Sequence, residues 1–174
     1  MSSHTERTTP TPDHEILIVG AGFSGIGAAI TLDKAGMDDY QIIEAGAGVG
    51  GTWYWNTYPG IAVDIPSSAY QFSFEQSSDW SRTYARGHEL RTYAEHCVDK
   101  YGLRSRIRFN TKVLAAVFDE KTDLWRLKLD SGDELTARFL VNASGVLTTP
   151  KPSDIDGVDS FAGLSMHTAR WDHA

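Results

Sequence analysis

Residues 16–25 read Ile-Leu-Ile-Val-Gly-Ala-Gly-Phe-Ser-Gly. The unbroken apolar run Ile16–Val19 suits a parallel strand covered on both faces. It leads directly into Gly20, Gly22 and Gly25, a G-x-G-x-x-G turn. Ser24–Ala35 has helical spacing and is rich in Ala and Ile, and Gly36 is placed to stop the helix. Tyr40–Glu44 then reads as a second strand with an acid at its end. Each piece has a physical task. Gly20 permits the tight turn. Gly22 lets backbone approach a pyrophosphate at the helix N-terminus, where Phe23 and Ser24 lie. Gly25 and Ala29 let the helix sit close on the sheet. Glu44 follows Gly25 by 19 residues, the distance at which an acid accepts hydrogen bonds from an adenosine ribose. An acid there disfavours a 2′-phosphate, so the turn predicts FAD or NAD rather than NADP.

The rest of the chain is consistent with a soluble globular protein of 174 residues, 41% hydrophobic and 22% charged. A net charge of −7 argues against a dedicated nucleic-acid binder, which needs a dense basic face. The single cysteine, Cys97, excludes an intramolecular disulfide framework and a Cys-cluster metal site, and reads as a small buried hydrophobe. Residues 1–13 are rich in Thr, Ser and Pro, read as a disordered tail, and lack the apolar core of a signal peptide. No stretch has the apolar length of an integral membrane segment, which by elimination predicts a cytoplasmic setting. The abrupt end at Trp171–Ala174 suggests a truncated or fragmentary chain.

Further along, Leu90, Tyr93, Ala94, Cys97, Val98 and Tyr101 fall on one face of a helix that Gly102 stops. Ile107–Phe109 reads as a third strand. Val113–Phe118, Leu124–Leu129 and Glu134–Ala137 read as an antiparallel meander, and Phe139–Asn142 as another buried strand leading to Ala143-Ser144-Gly145. Arg82, Arg86, Arg91, Arg104, Arg106 and Arg108 read as a solvated face interspersed with acids. Tyr70, Phe72 and Phe74 alternate, as on the apolar face of a strand or an irregular wall. There is no nucleophile–base signature and no metal-ligand spacing, so the difficult chemistry must belong to a cofactor. The predicted class is α/β: a Rossmann-like FAD-binding domain, a parallel sheet with helices plus an antiparallel β-meander, over 14–150, with a linker over 151–174.

Residues 46–60, GAGVGGTWYWNTYPG, decide the ligand. Trp53 and Tyr58 are embedded in glycine and proline, a loop suited to covering a flat ring system. Gly50-Gly51-Thr52-Trp53, Tyr58-Pro59-Gly60 and Asp64 resemble the flavin-contacting segment of class B flavin monooxygenases, and the WYWNxYPG form most resembles Baeyer–Villiger enzymes. Thr57 stands where many members have Arg. Phe161, Gly163, His167, Trp171 and Asp172 match all five fixed positions of F-x-G-x-x-x-H-x-x-x-W-[P/D], the fingerprint of type I Baeyer–Villiger monooxygenases.

The resemblance implies FAD held by Gly20, Gly22, Phe23, Ser24, Gly25, Glu44, Gly51, Thr52, Trp53, Tyr58, Asp64, Val113, Ala143 and Gly145. Asp64 would be a flavin-site carboxylate, and the Val113 backbone would meet the adenine. His167 would coordinate domain movement and would not act on substrate. It implies oxidation of a ketone by O2 through a flavin C4a-peroxide, with FAD reduced by NADPH, to give an ester or lactone. The NADPH domain, a catalytic arginine and the last strand of the FAD domain are not in this chain, so the architecture is incomplete relative to the two-dinucleotide-binding-domain family and the chain alone is expected to be inactive. The alternatives are an N- or S-oxygenating flavin-containing monooxygenase, or a flavin-binding remnant without activity.

Overall fold

The computed structural model describes residues 10–151 and 153–174. Most of the expected tail, residues 1–9, lies outside the described residues. Its last residue, Asp13, is tied down: the Thr136 backbone N–H and hydroxyl both donate to its carboxylate at 2.7 Å. These bonds hold the carboxyl below the usual range.

Strand β1 (His14–Val19) lies parallel to and between β2 (Tyr40–Ile43) and β6 (Glu134–Asn142). The short β3 (Ile107–Arg108) pairs in parallel with β2. Strands β4 (Val113–Asp119) and β5 (Leu124–Leu129) are antiparallel, and β5 pairs with β6. The sheet order is β3-β2-β1-β6-β5-β4.

The apolar run of β1 is explained by what covers each side. Ile16 and Ile18 face helices α1 (Phe23–Lys34) and α3 (Gly87–Lys100), packing with Ile26, Ala29, Ile30, Ala94, Cys97 and Val98. Leu17 faces the other way, into Ile43, Leu127, Leu129 and Ala137. Strand residues alternate in direction, so a strand between a helix layer and a meander cannot carry a polar residue at either parity. Removing the Leu17 side chain to Ala would cost about 2–5 kcal/mol.

Helix α1 closes on the sheet because Gly25 has no side chain: a Cβ there would lie 1.9 Å from the Gly20 carbonyl oxygen. Helix α3 buries the expected face and ends at Gly102, whose φ of 67° suits glycine. Cys97 lies in this core, and burial pushes its thiol up to about 11.

Two expectations are corrected. Glu134–Ala137 and Phe139–Asn142 are not two strands but one, β6, whose first half pairs with β5 and whose second half pairs with β1 alone. That second half is not fully buried: Phe139 is 56% exposed. Of the two arrangements open to Tyr70, Phe72 and Phe74, the structure has the irregular wall and not the strand. They follow a 3₁₀ turn at Ser67–Ala69 and enter an aromatic cluster with Phe23 and Tyr93, ring centroids 5.0–6.0 Å apart.

This aromatic segment is anchored by Glu75, a buried carboxylate missed in the sequence. Lys100 donates to both its oxygens at 2.7 and 2.8 Å, Tyr101 donates at 3.0 Å, and His96 lies 3.0 Å away. The Lys100 ammonium, then His96, holds the Glu75 carboxyl down to about 2.

Candidate functional site

The C-terminal ends of β1, β2 and β6 converge, the place where open α/β sheets hold ligands. Gly20 N–H donates to the Ile43 carbonyl (2.8 Å), Ala143 N–H to the Val19 carbonyl (2.9 Å), and Glu44 N–H to the Arg108 carbonyl (2.9 Å). Gly20 has φ 103°, and a Cβ on it would sit 2.6 Å from the Ala143 carbonyl oxygen. The second glycine loop lies directly on the first. Gly50 N–H donates to the Ala21 carbonyl at 3.0 Å, and a Cβ on Gly51, which has φ 56°, would come within 2.9 Å of the Gly22 Cα. These contacts leave bare backbone around a cavity of about 330 Å³. Among the predicted residues, Gly20, Gly22, Phe23, Ser24, Glu44, Gly51, Thr52, Trp53, Val113, Ala143 and Gly145 line it.

Helix α1 starts at this cavity with no side-chain cap on its first turn and no acid within it. Its first N–H groups and the helix dipole therefore favour an anion there.

Glu44 does more than the sequence suggested. It is buried, and its carboxylate accepts from Ala21 N–H through Oε2 and from Gly46 N–H through Oε1, both at 2.7 Å. It thus fastens the first glycine turn to the second loop. Each carboxylate oxygen has a second lone-pair direction, so a further donor can still be accepted.

Two predicted residues, Tyr58 and Asp64, do not reach this cavity. They line an adjoining cavity of about 630 Å³ together with His167, Val146, Leu147 and Lys151. Thr52, Trp53, Tyr70 and Thr149 form walls of both cavities. Gly25 lines neither, because its place is the α1–β1 contact. Trp53 does not sit in an open loop: residues Thr52–Trp55 form a short helix, α2, and Trp53 is buried against Val63, Ala85 and Leu90. Its indole N–H donates to the Tyr70 hydroxyl at 3.1 Å. The glycine pair before it turns the chain so sharply that the Trp swings into the core and presents only part of its ring to the two cavities.

His167 is exposed, and its Nδ1 accepts from Ala169 N–H at 3.0 Å, capping a 3₁₀ turn at Thr168–Arg170. The segment around it docks on α2. Asn56 donates through Nδ2 to the Leu147 carbonyl at 2.9 Å, Arg170 lies 4.2 Å over the Trp55 ring, and the His173 ring meets the Thr57 hydroxyl at 3.0 Å. Thr57, the position that departs from the common Arg, thus has a local partner.

Thr111, Lys112, Ser144, Thr148 and Thr149 also line the first cavity and were not predicted. Lys112 and Ser144 adjoin predicted residues, so neighbourhood could have found them. Thr148 and Thr149 carry no sequence signal, because only the docking of 146–151 beside α2 brings them in, and Thr111 is placed by its N–H bond to the Glu44 carbonyl. Among the described residues, no group of three His, Cys, Asp or Glu is placed to hold a metal ion, and no helix is long and apolar enough to cross a membrane.

Comparison with known proteins places this geometry among relatives. The family model described as pyridine nucleotide-disulphide oxidoreductase matches residues 17–174. A Baeyer–Villiger monooxygenase of Pseudomonas aeruginosa is 43% identical, over 95% of this chain and 32% of its own length. One from Streptomyces coelicolor is 42% identical, over 91% of this chain and 30% of its own length. The crystal structure of OTEMO in complex with FAD and NADP superposes with a TM-score of 0.84 at 40% identity, covering 94% of this chain and 31% of that one. The chain thus spans about a third of the length of the relatives it matches.

Proposed function

Because the chain belongs to the pyridine nucleotide-disulphide oxidoreductase family, we propose that its glycine-lined cavity holds FAD and that it supplies the FAD-binding part of a Baeyer–Villiger monooxygenase. The observation that carries the reading is the joint of Gly20–Gly25, Gly50–Gly51 and Glu44 at the strand ends. Backbone meets backbone there, an uncapped helix N-terminus faces the cavity, and a buried carboxylate holds both loops in place. That arrangement suits a pyrophosphate flanked by an adenosine and a flat ring.

The residues present fit the group. The α1 N-terminus and Gly22 would face the pyrophosphate, Glu44 and Val113 the adenosine side, and Gly51, Thr52 and Trp53 the ring side. Tyr58 and Asp64, in the adjoining cavity, would meet the far edge of the ring. Bound FAD would supply the redox chemistry, drawing electrons from NADPH and reacting with O2. His167, with its imidazole engaged on Ala169, belongs to the docking of the 151–174 segment, and no proton transfer is assigned to it. The substrate class is a ketone, converted to an ester or lactone. The setting is cytoplasmic, as the single buried thiol and the lack of a long apolar run favour.

The test has two parts. The 174-residue chain is titrated with FAD and then given NADPH while flavin absorbance is followed. FAD is bound and is not bleached by NADPH. Bleaching with oxygenation of a ketone would overturn the division of labour, and failure to bind FAD would overturn the site. A gene encoding a protein of the relatives' length, carrying this stretch, is then assayed with a ketone and with an amine. Ester or lactone is formed, whereas exclusive N-oxidation would favour a flavin-containing monooxygenase of the other type.

A further inference from the structure

A third cavity, of about 480 Å³, opens on the far side of Trp53. Its wall carries Arg82, Arg86, His88 and Arg91, with Tyr58 and Asn56 opposite, and among the described residues no carboxylate lines it. The concentration of cations is notable in a chain of net charge −7.

The arginines elsewhere show what is unusual. Arg104, Arg106, Arg108, Arg126 and Arg138 each sit within salt-bridge distance of a carboxylate. Arg91 has one partner, Glu95, at 2.9 Å. Among the described residues, Arg82, Arg86 and Arg170 are in no salt bridge, and Arg170 instead lies over the Trp55 ring and donates to the Thr148 carbonyl. Of the acids nearest in sequence, Glu89 is already engaged, its carboxylate accepting from the Ser81 N–H and hydroxyl and from the Arg86 N–H, and Asp79 accepts from the Ser78 hydroxyl. Like charges gathered in one cavity repel, and an anion between them removes that repulsion. Guanidinium forks match the oxygens of phosphate in pairs, which point charges on lysine do not. The volume exceeds what a bare phosphate needs and falls in the range of small-molecule sites. Tyr58, Asn56 and Trp53 supply a wall for an organic body.

We infer that this cavity binds a phosphorylated small molecule through Arg82, Arg86 and Arg91. It shares only Trp53 with the glycine-lined cavity, and it abuts the adjoining cavity, with which it shares Trp53, Asn56, Tyr58, Ile61 and Ala62. Trp53 therefore gives each site an optical reporter.

The experiment is calorimetric titration of the full 174-residue chain at low ionic strength with inorganic phosphate, pyrophosphate and ribose 5-phosphate, with and without saturating FAD. Arg82→Gln and Arg86→Gln are compared singly and together. Both side chains are exposed, so the variants keep the fold, which a matched thermal melt checks. Arg104→Ala, on a surface ion pair with Asp99, is the control. Each Gln substitution weakens phosphate binding by at least about tenfold, Arg104→Ala leaves it unchanged, and FAD does not compete. Ribose 5-phosphate binds more tightly than phosphate; equal binding of the two would overturn the assignment of an organic phosphate. Absence of binding, equal binding by the double variant, or competition by FAD would each overturn the inference, the last by placing the phosphate in the glycine-lined cavity instead.

Discussion

Replacing Glu44 by Gln tests whether one buried carboxylate holds the site together. The side chain keeps its shape, but one acceptor oxygen becomes an NH₂ donor. Both oxygens currently accept a backbone N–H at 2.7 Å, from Ala21 and from Gly46. Whichever way the amide turns, one of these N–H groups faces a donor instead of an acceptor. The remaining bond also loses its charge assistance. A hydrogen bond to a charged group contributes about 1.5–3 kcal/mol, and a buried donor left without a partner costs about 1–3 kcal/mol. These overlap, and the net destabilisation is about 2–4 kcal/mol, a large part of the 5–15 kcal/mol typical of a domain. For a chain of this size that lowers the melting temperature by about 4–16 °C. Urea unfolding followed by far-UV circular dichroism measures it. FAD affinity is then measured well below the melting range, so that loss of fold and loss of ligand are read separately. Glu44→Gln unfolding within about 0.5 kcal/mol of wild type would show that the two N–H bonds do not fasten the loops. Unchanged FAD affinity in a folded variant would remove Glu44 from the ligand's neighbours.

Gly25→Ala puts a methyl 1.9 Å from the Gly20 carbonyl oxygen, and because the obstacle is backbone, the chain loses at least about 3 kcal/mol or fails to fold; normal urea stability would refute the close contact. Glu75 titrates at about 2 in the fold against about 4.3 in an unfolded chain, so its contribution is complete above the unfolded value and disappears as pH falls towards 2. Glu75→Gln therefore narrows the gap to wild type as the pH is lowered from 6 to 3, and a gap that does not change with pH would refute the ion-paired assignment. Cys97 is fully buried with its thiol pushed up to about 11, so a disulfide reagent labels it only at the rate of opening; rapid labelling of the native chain would show that α3 is not packed as described.

Much of this was legible because local signals and packing agreed. The β1 run, the three glycines and the acid after β2 all state one geometry, and the structure places Val19, Gly20, Gly22 and Glu44 around one cavity. The α3 face was readable for the same reason: a period near 3.6 survives in sequence. Position relative to the site was harder. Gly25 serves helix packing, as its place in the motif indicated, but Tyr58 and Asp64 lie outside the glycine-lined cavity. That displacement has no sequence signature, because it depends on how the chain turns after Gly51. Strand β6 was split by Arg138, an exposed charge in an apolar run. Periodicity cannot tell a break from a strand that changes neighbours. The apolar run around Phe139 reads as buried on both faces, but while Leu140 and Val141 pack against the core, the Phe139 side chain is left exposed.

The continuity of β6 also limits how such a protein can diverge. Because one nine-residue strand carries both the meander pairing and the approach to Ala143 and Gly145, an insertion or deletion of a single residue within it would turn every later side chain to the opposite face and displace the cavity rim. Length changes can be accommodated at the hairpin tip Asp119–Asp123, whereas the opposite tip, Asp130–Asp133, is tied through Asp130 to Lys112 in the cavity wall. Drift in loop size is therefore expected at the Asp119–Asp123 end of the meander, while the length of β6 stays constant among proteins that keep this cavity.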